Sequence, residues 1–581
     1  MPDTRNQRLR RARPVVALAV VSFLAGAIVG ADHAASPSVS LAERFVKQWS
    51  RGEYAAMYAE IAPSAQHSVG ASEFASDYEQ DLRTATAIGR HVAGRARALG
   101  PGRVEVPVRV STRLWGTLSL RYTLETTSVE GDERVSWTRS AAFPGVPAGA
   151  TLSSRTTLPR RATLLARNGS VLAESPPEGQ GGSRSTPLGE IGRAVVGEVG
   201  PIPSSERDAL EAEGVPADAD VGVSGLEAAF DDRLRGRPGG ELLAGGQVLA
   251  SVPAKPAPPL RTTISPSVQA AAVTALGGQL GGVVAMKPST GEVLAVAGLG
   301  LEGLQPPGST FKIITVSGVL SAHIATPHTV FPYATYATLD GVRLNNANGE
   351  ECGGSLELAF AVSCNSVFTP LGVKLGAQRL VAMAEKFGFN QDPGLPGAAR
   401  STLPPASQIQ GELDVGSTAI GQGEVLASPL QMLLVAAAIA DGGHRPAPTF
   451  LTDAPHGGAQ AVSPSVARTV RHLMAEVVKE GTGTSAAIPG VIVAGKTGTA
   501  ELKSCATSSE RDAQENGNGE KASGEGCASE KENTDAWFTA FAPEVHPKIA
   551  VCVMLVKDGA GGESAAPVAR EVLEAGLDGG V

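Results

Sequence analysis

Aromatic residues are scarce in this sequence, 4% of 581 positions, whereas glycine and proline number 70 and 40. A chain so composed packs through small residues and carries many loops, and its 42% hydrophobic content still supplies globular cores. Positive charge is lacking as well. The formal net charge of −9 argues against a nucleic-acid partner, and the excess of arginine over lysine carries no recognition signal. Five cysteines fix no framework by themselves, and no Cys and His residues have the spacing of a zinc site.

Charge is absent altogether from residues 14–31, which follow Arg5, Arg8, Arg10, Arg11 and Arg13. A basic flank before an apolar segment at the lower limit for a bilayer of roughly 30 Å reads as a transmembrane signal anchor, with residues 1–13 as a cytoplasmic tail. A cleavable signal is the alternative, since Ala31, Ala34, Ala35 and Ser36 follow. Either way the rest of the chain is expected outside the cytoplasm, in a single-pass arrangement.

The length exceeds one hydrophobic core, so about three or four folded units are expected. Residues 38–150 read as an α+β domain. Leu41, Phe45, Val46 and Trp49 recur at helical spacing, as do Tyr54, Met57 and Tyr58, while residues 103–110 and 116–122 alternate like half-buried strands. No acid/base cluster stands out there. Residues 157–259 shift toward Gly, Pro and Ser and form a second, strand-rich module. From 262 to 577 short apolar runs come first, at residues 283–286 and 292–297 around the turn Pro288-Ser289-Thr290-Gly291, and return late, at 491–494, 536–541 and 549–556. Helical patterns such as Pro429 to Ala440 lie between. Five strands split between the two ends imply an antiparallel sheet packed on a helical cluster.

Three motifs, each present once, lie in this last region: Ser309-Thr310-Phe311-Lys312, Ser363-Cys364-Asn365 and Lys496-Thr497-Gly498-Thr499. Ser309 follows Pro306-Pro307-Gly308 and opens an apolar run, which places it at a helix N-terminus with Lys312 on the same face. A serine hydroxyl needs a base, and Lys312 can serve only when neutral. Lowering a lysine pKa from about 10.4 to about 7 takes roughly 4 to 5 kcal/mol, a bias that burial, the helix dipole and a second cation such as Lys496 supply together. Gly498 gives the third motif a place for close backbone approach, and an extended peptide can add along such a strand.

The ordered set S-x-x-K, S-x-N, K-T-G resembles that of the penicillin-binding proteins and serine β-lactamases. The remaining chain extends the likeness to class B penicillin-binding proteins. Val223-Ser224-Gly225-Leu226-Glu227 with Phe230, Leu234 and Gly236, and Arg161, Arg167-Asn168-Gly169 and Leu172-Ala173 before them, are similar to the pedestal (dimerisation-type) domain. Phe45 to Tyr58 resembles the cone-shaped N-terminal extension of methicillin-resistance-type members. Ile420-Gly421-Gln422-Gly423 and Gly481-Thr482-Gly483-Thr484 are supporting motifs of the same likeness.

The resemblance implies a serine D,D-transpeptidase of peptidoglycan without metal or organic cofactor. Ser309 would attack the penultimate D-Ala carbonyl of a stem peptide, and Ser363 would relay a proton between Lys312 and the leaving nitrogen. Asn365 would orient Lys312 and a substrate carbonyl. Lys496, Thr497 and Thr499 would hold the substrate carboxylate, and the backbone N–H groups of Ser309 and Thr499 would form the oxyanion hole. A β-lactam would acylate the same serine. The expected partners are stem peptides and lipid-linked precursor glycan strands, with a separate membrane glycosyltransferase, because no glycan-polymerising domain is found.

The sequence departs from the family at residues 502–533, a Glu- and Gly-rich insertion read as a mobile loop beside the site. Cys505 and Cys527 lie within it, bracketing a polar loop, and are one expected disulfide. Cys352 with Cys364 is a second that would brace Ser363 and Asn365, and Cys552 sits in an apolar run as a free core thiol. Rival functions remain in view. In a class A β-lactamase a glutamate must hold the deacylating water, and Glu385 and Asn390 do not reproduce its spacing. A D,D-carboxypeptidase differs only in the acyl acceptor. A non-enzymatic scaffold or β-lactam sensor would be expected to lose a motif residue or to gain a cytoplasmic output.

Overall fold

The computed structural model describes residues 36–176, 184–501 and 534–579. The signal segment at 14–31, the Cys505–Cys527 pair and the insertion 502–533 therefore lie outside the described residues. Among those described, no helix is long and apolar enough to cross a membrane. The chain divides into two compact units. One takes residues up to 159 together with 202–219 and 236–256, and the other takes 160–201, 220–235 and everything from 257 onward.

In the first unit the helix Pro37–Arg51 starts where the Ser36 hydroxyl accepts the Val39 N–H and stops at Gly52, whose φ of 76° suits a left-handed cap. It buries Leu41, Phe45, Val46 and Trp49. These pack on a sheet in which strand Arg103–Thr112 pairs antiparallel with Ala87–Val92 and Thr117–Val129. The alternation expected there is realised: Val104, Val106, Val108 and Val110 face the core. A second sheet joins Leu152–Thr157, Gly239–Ala244 and Gln247–Val252, and Leu152 and Leu242 close the same core. The segment 157–259 is thus shared between the two units. Its Arg161, Glu227 and Asp231 belong to the other one, where Arg161 donates to Glu227 and Asp231 at 2.6 Å each.

The second unit is built on a five-stranded antiparallel sheet. The elements around that sheet and the candidate site are, in chain order, α1 (Pro266–Leu276), β1 (Gly281–Met286), β2 (Val293–Gly298), α2 (Lys312–Ser321), α3 (Leu356–Ala361), α4 (Asn365–Leu375), α5 (Pro429–Ala440), α6 (Pro464–Lys479), β3 (Ala494–Glu501), β4 (Thr534–Ala542), β5 (Ile549–Leu555) and α7 (Ala565–Asp578). Spatially the strands run β2-β1-β5-β4-β3. Early and late segments therefore meet at the β1–β5 pair, where Val283 faces Val553.

Both faces of β5 are buried, so it reads as a continuous apolar run. Val551 and Val553 pack with α1 and α7, whereas Ala550, Cys552 and Met554 belong to the core that holds all of α5. Cys552 is a buried free thiol, as expected. The third-motif strand differs from expectation. It begins at Ala494 and contains the motif, whereas residues 491–493 precede it and Ile492 is exposed. Pairing with β4, Ala494 against Phe541 through Glu501 against Thr534, sets those limits; hydrophobicity does not. β3 is the outer strand of the sheet.

Candidate active site

The three motifs meet where α2, the turn between α3 and α4, and β3 converge. Ser309 sits in a 3-10 turn, Gly308–Phe311, that leads directly into α2. Glycine is required at 308: its φ is 51°, and a Cβ there would stand 2.7 Å from the Thr499 carbonyl oxygen. The turn is held by the Gly308 N–H, which donates to Gly421 O at 3.0 Å, so the Ile420-Gly421-Gln422-Gly423 motif acts on the backbone of the Ser309 turn. Gly498 plays the matching part on β3. A Cβ there would lie 2.7 Å from Pro307 O and 3.0 Å from the Thr310 methyl, so the backbone it lets approach is that of the Ser309 turn.

Ser363 occupies the α3–α4 turn with φ 60°, a left-handed conformation that a non-glycine residue adopts at a cost of about 1–2 kcal/mol. Its N–H donates to Phe360 O and that of Cys364 to Ala359 O, and Cys364 is joined to Cys352 by a disulfide. The expected brace is present. Across the sequence separation of 12 residues, chain entropy assigns it about 3 kcal/mol. A Cys352→Ser/Cys364→Ser double variant is expected to lose penicillin labelling at a lower urea concentration than the parent, by that amount when the two curves are compared.

The two lysines are fully buried beneath half-buried Ser309, Ser363 and Asn365. Lys312 Nζ lies 2.7 Å from Ser363 O, 2.6 Å from Asn365 Oδ1 and 3.2 Å from Ser363 Oγ. Lys496 Nζ donates to Ser363 Oγ at 2.9 Å and to Thr497 O at 3.1 Å. Aromatic rings complete the surroundings, Phe368 beside Lys312 and Phe360 beside Lys496. Burial, and after it the charge of Lys496, hold Lys312 well below the ordinary lysine range. Burial also pushes Lys496 down, to about 7. Burial and a second cation are two of the three influences named from sequence, the helix dipole being the third. The donor set of amines, hydroxyls and an amide suits acyl transfer and offers no metal-ligand set.

Three further residues position these groups. Asn365 Nδ2 donates to Asn345 O at 2.9 Å, which fixes the amide so that Oδ1 faces Lys312. Buried Asn346, just after the hairpin of Tyr336–Leu339 and Val342–Asn345, donates to Ala334 O and Glu350 O and accepts the Ser366 N–H, tying that segment to α4. Neither asparagine lies in a short motif, and nothing local marked them. Thr482 did carry a signal, in Gly481-Thr482-Gly483-Thr484. Its hydroxyl lies 2.6 Å from that of Thr497. Thr482→Val keeps the shape and removes this bond, so the second-order rate constant of acylation by penicillin is expected to fall about tenfold with the melting temperature nearly unchanged.

Residues 281–574 match the penicillin-binding protein transpeptidase domain, and residues 178–254 match the penicillin-binding protein dimerisation domain. The chain belongs to the penicillin-binding protein family. Within it the dimerisation module precedes the transpeptidase module, the class B arrangement. Among its relatives is the peptidoglycan D,D-transpeptidase PbpA of Mycolicibacterium smegmatis, 34% identical over 381 residues that make up 54% of this chain and 72% of the relative. A solved D,D-transpeptidase domain of a peptidoglycan glycosyltransferase from Eggerthella lenta is 28% identical with a TM-score of 0.57, covering 72% of this chain and 99% of that one. Penicillin-binding protein A from M. tuberculosis, solved as a penicillin G acyl-enzyme complex, is 27% identical with a TM-score of 0.55, covering 72% and 99%.

Proposed function

We propose that this penicillin-binding protein is a peptidoglycan D,D-transpeptidase that works through an acyl-enzyme on Ser309 and is blocked covalently by β-lactams. One observation carries the reading: two buried lysines converge on one serine hydroxyl, Lys312 from the nucleophile's helix and Lys496 from the edge strand. With Lys312 neutral, its two N–H groups serve Ser363 O and Asn365 Oδ1, and its lone pair remains for a hydroxyl proton.

In this reading Lys312 takes the Ser309 proton as the hydroxyl attacks the penultimate D-Ala carbonyl. The oxyanion rests on the N–H groups of Ser309 and Thr499. Ser363 returns a proton to the nitrogen of the departing D-Ala. The substrate carboxylate lies against the Thr497 and Thr499 hydroxyls within the field of Lys496, and Gly498 keeps β3 close to the nucleophile turn. An amine of a neighbouring stem peptide then attacks the ester and restores free Ser309. The α+β domain of residues 38–150 fits an N-terminal extension of the methicillin-resistance type. Residues 14–31 fit its anchor, and a separate membrane glycosyltransferase supplies the glycan strands.

The test incubates the protein with a D-Ala-D-Ala stem peptide and an acceptor amine, following D-Ala release and product mass, with peptide mapping of a penicillin adduct. Release of one D-Ala per cross-linked product and an adduct on Ser309 are expected. D-Ala release to water with no cross-linked product would make the chain a D,D-carboxypeptidase. An adduct that hydrolyses within seconds would make it a β-lactamase, and the absence of both adduct and release would leave a scaffold.

A further inference from the structure

Away from the acyl-transfer site, Glu357 in the first turn of α3 meets two residues of α6. His472 Nε2 lies 3.1 Å from Glu357 Oε1, and Glu476 follows His472 by one helical turn on the same face. One donor atom from each of the three lies within 4.8 Å of the others. We propose that Glu357, His472 and Glu476 form a binding site for a divalent transition metal of the zinc class, clamping α3 to α6.

The chemistry selects the metal. One imidazole and two carboxylates are borderline-to-hard donors that suit Zn²⁺ and its neighbours, whereas Mg²⁺ and Ca²⁺ seek all-oxygen shells. Around Zn²⁺, with bonds of about 2.0–2.1 Å, tetrahedral donors stand roughly 3.3–3.5 Å apart. The His472–Glu357 pair, at 3.1 Å, is slightly closer than this and would open by a few tenths of an ångström to admit the ion. The Glu476 carboxylate needs only a side-chain adjustment to join it. Two ligands at i and i+4 on one helix face are the spacing of the H-E-x-x-H zinc sites, where both are histidines; here the second is Glu476 and Glu357 of α3 is the third. Lys479 competes for Glu476, with Nζ 3.1 Å from its carboxylate, but that lysine is 61% exposed and the pair costs little to part.

The location gives the site a consequence. α3 ends at Ala361, just before Ser363, and the Thr482 N–H beyond α6 donates to Ala361 O at 3.1 Å. The metal would therefore join the first turn of α3, the helix that leads to Ser363, to the C-terminal turns of α6, the helix that leads to Thr482 and the hydroxyl holding Thr497.

The full chain, stripped of metal with EDTA and desalted, is titrated with ZnCl₂ in a non-chelating buffer and followed by calorimetry and melting temperature, beside His472→Asn and Glu357→Gln. One equivalent of Zn²⁺ is expected to bind and raise the melting temperature, MgCl₂ at the same concentration to do neither, and each variant to weaken binding by about tenfold or more. Retention of penicillin labelling in the variants, whose changes lie outside the acylation machinery, reports that they are folded. No heat and no melting shift in the parent would overturn the proposal. So would Zn²⁺ binding that both variants keep, since the metal would then sit on other donors.

Discussion

Replacing Lys312 by methionine is expected to lower the second-order rate constant of acylation by penicillin about 10³-fold, equivalent to roughly 4 kcal/mol of barrier. Methionine matches the aliphatic stem and removes only the amine. Lys312→Arg sharpens the test, because arginine can still donate to Ser363 O and Asn365 Oδ1 but stays protonated at every accessible pH. If the lysine served only as a structural donor, arginine would restore much of the rate. If it is the base, both variants fail alike. Their residual acylation should then climb steadily with hydroxide concentration, whereas that of the parent stops rising once Lys312 has lost its proton. Lys312 reaches that point well below the ordinary lysine range, first because it is buried and then because Lys496 repels its charge. Stopped-flow acylation between pH 5 and pH 10 decides the matter.

Most of the residues that gather at the candidate site were legible because they sit in short motifs whose members need particular neighbours in sequence. The i, i+3 relation of Ser309 and Lys312 and the late apolar strands are local facts. Long-range facts were not legible. Gly239–Ala244 pairs with Leu152–Thr157 and with Gln247–Val252, so a segment that reads as one module contributes to two units. The start of β3 is set by its partner β4, and hydrophobicity alone placed a strand too early. Asn345 acts through its carbonyl, a group every residue carries, and so leaves no mark in sequence. The role of Gly498 was half visible: glycine signals a close approach, but only the structure identifies the approaching backbone as that of Pro307 and Thr310.

Lys496 carries the second large effect, and its sign is opposite to that of Lys312. It donates to Ser363 Oγ, and in the proposed mechanism it also steers the substrate carboxylate while it is a cation, a task the neutral amine loses. Its pKa of about 7, set by burial, places that loss within the working range. Acylation of the free enzyme by an anionic penicillin should therefore rise with pH as Lys312 deprotonates and fall again above about pH 7 as Lys496 does. Lys496→Ala is expected to cost about 10²- to 10³-fold and to erase the alkaline fall. Lys496→Arg keeps a charge, so its rate constant, though lower overall, should stay flat to pH 10. Stability supplies an independent readout. Between about pH 7 and the ordinary lysine value of 10.5, the unfolded chain binds a proton at this position that the folded chain does not, so the stability contributed by position 496 rises with pH across that window. Lys496→Ala should flatten that slope in urea unfolding series at pH 7 and pH 9. An unchanged slope together with an unchanged alkaline limb would mean that Lys496 remains charged in the folded protein, and the division of labour between the two lysines would have to be redrawn.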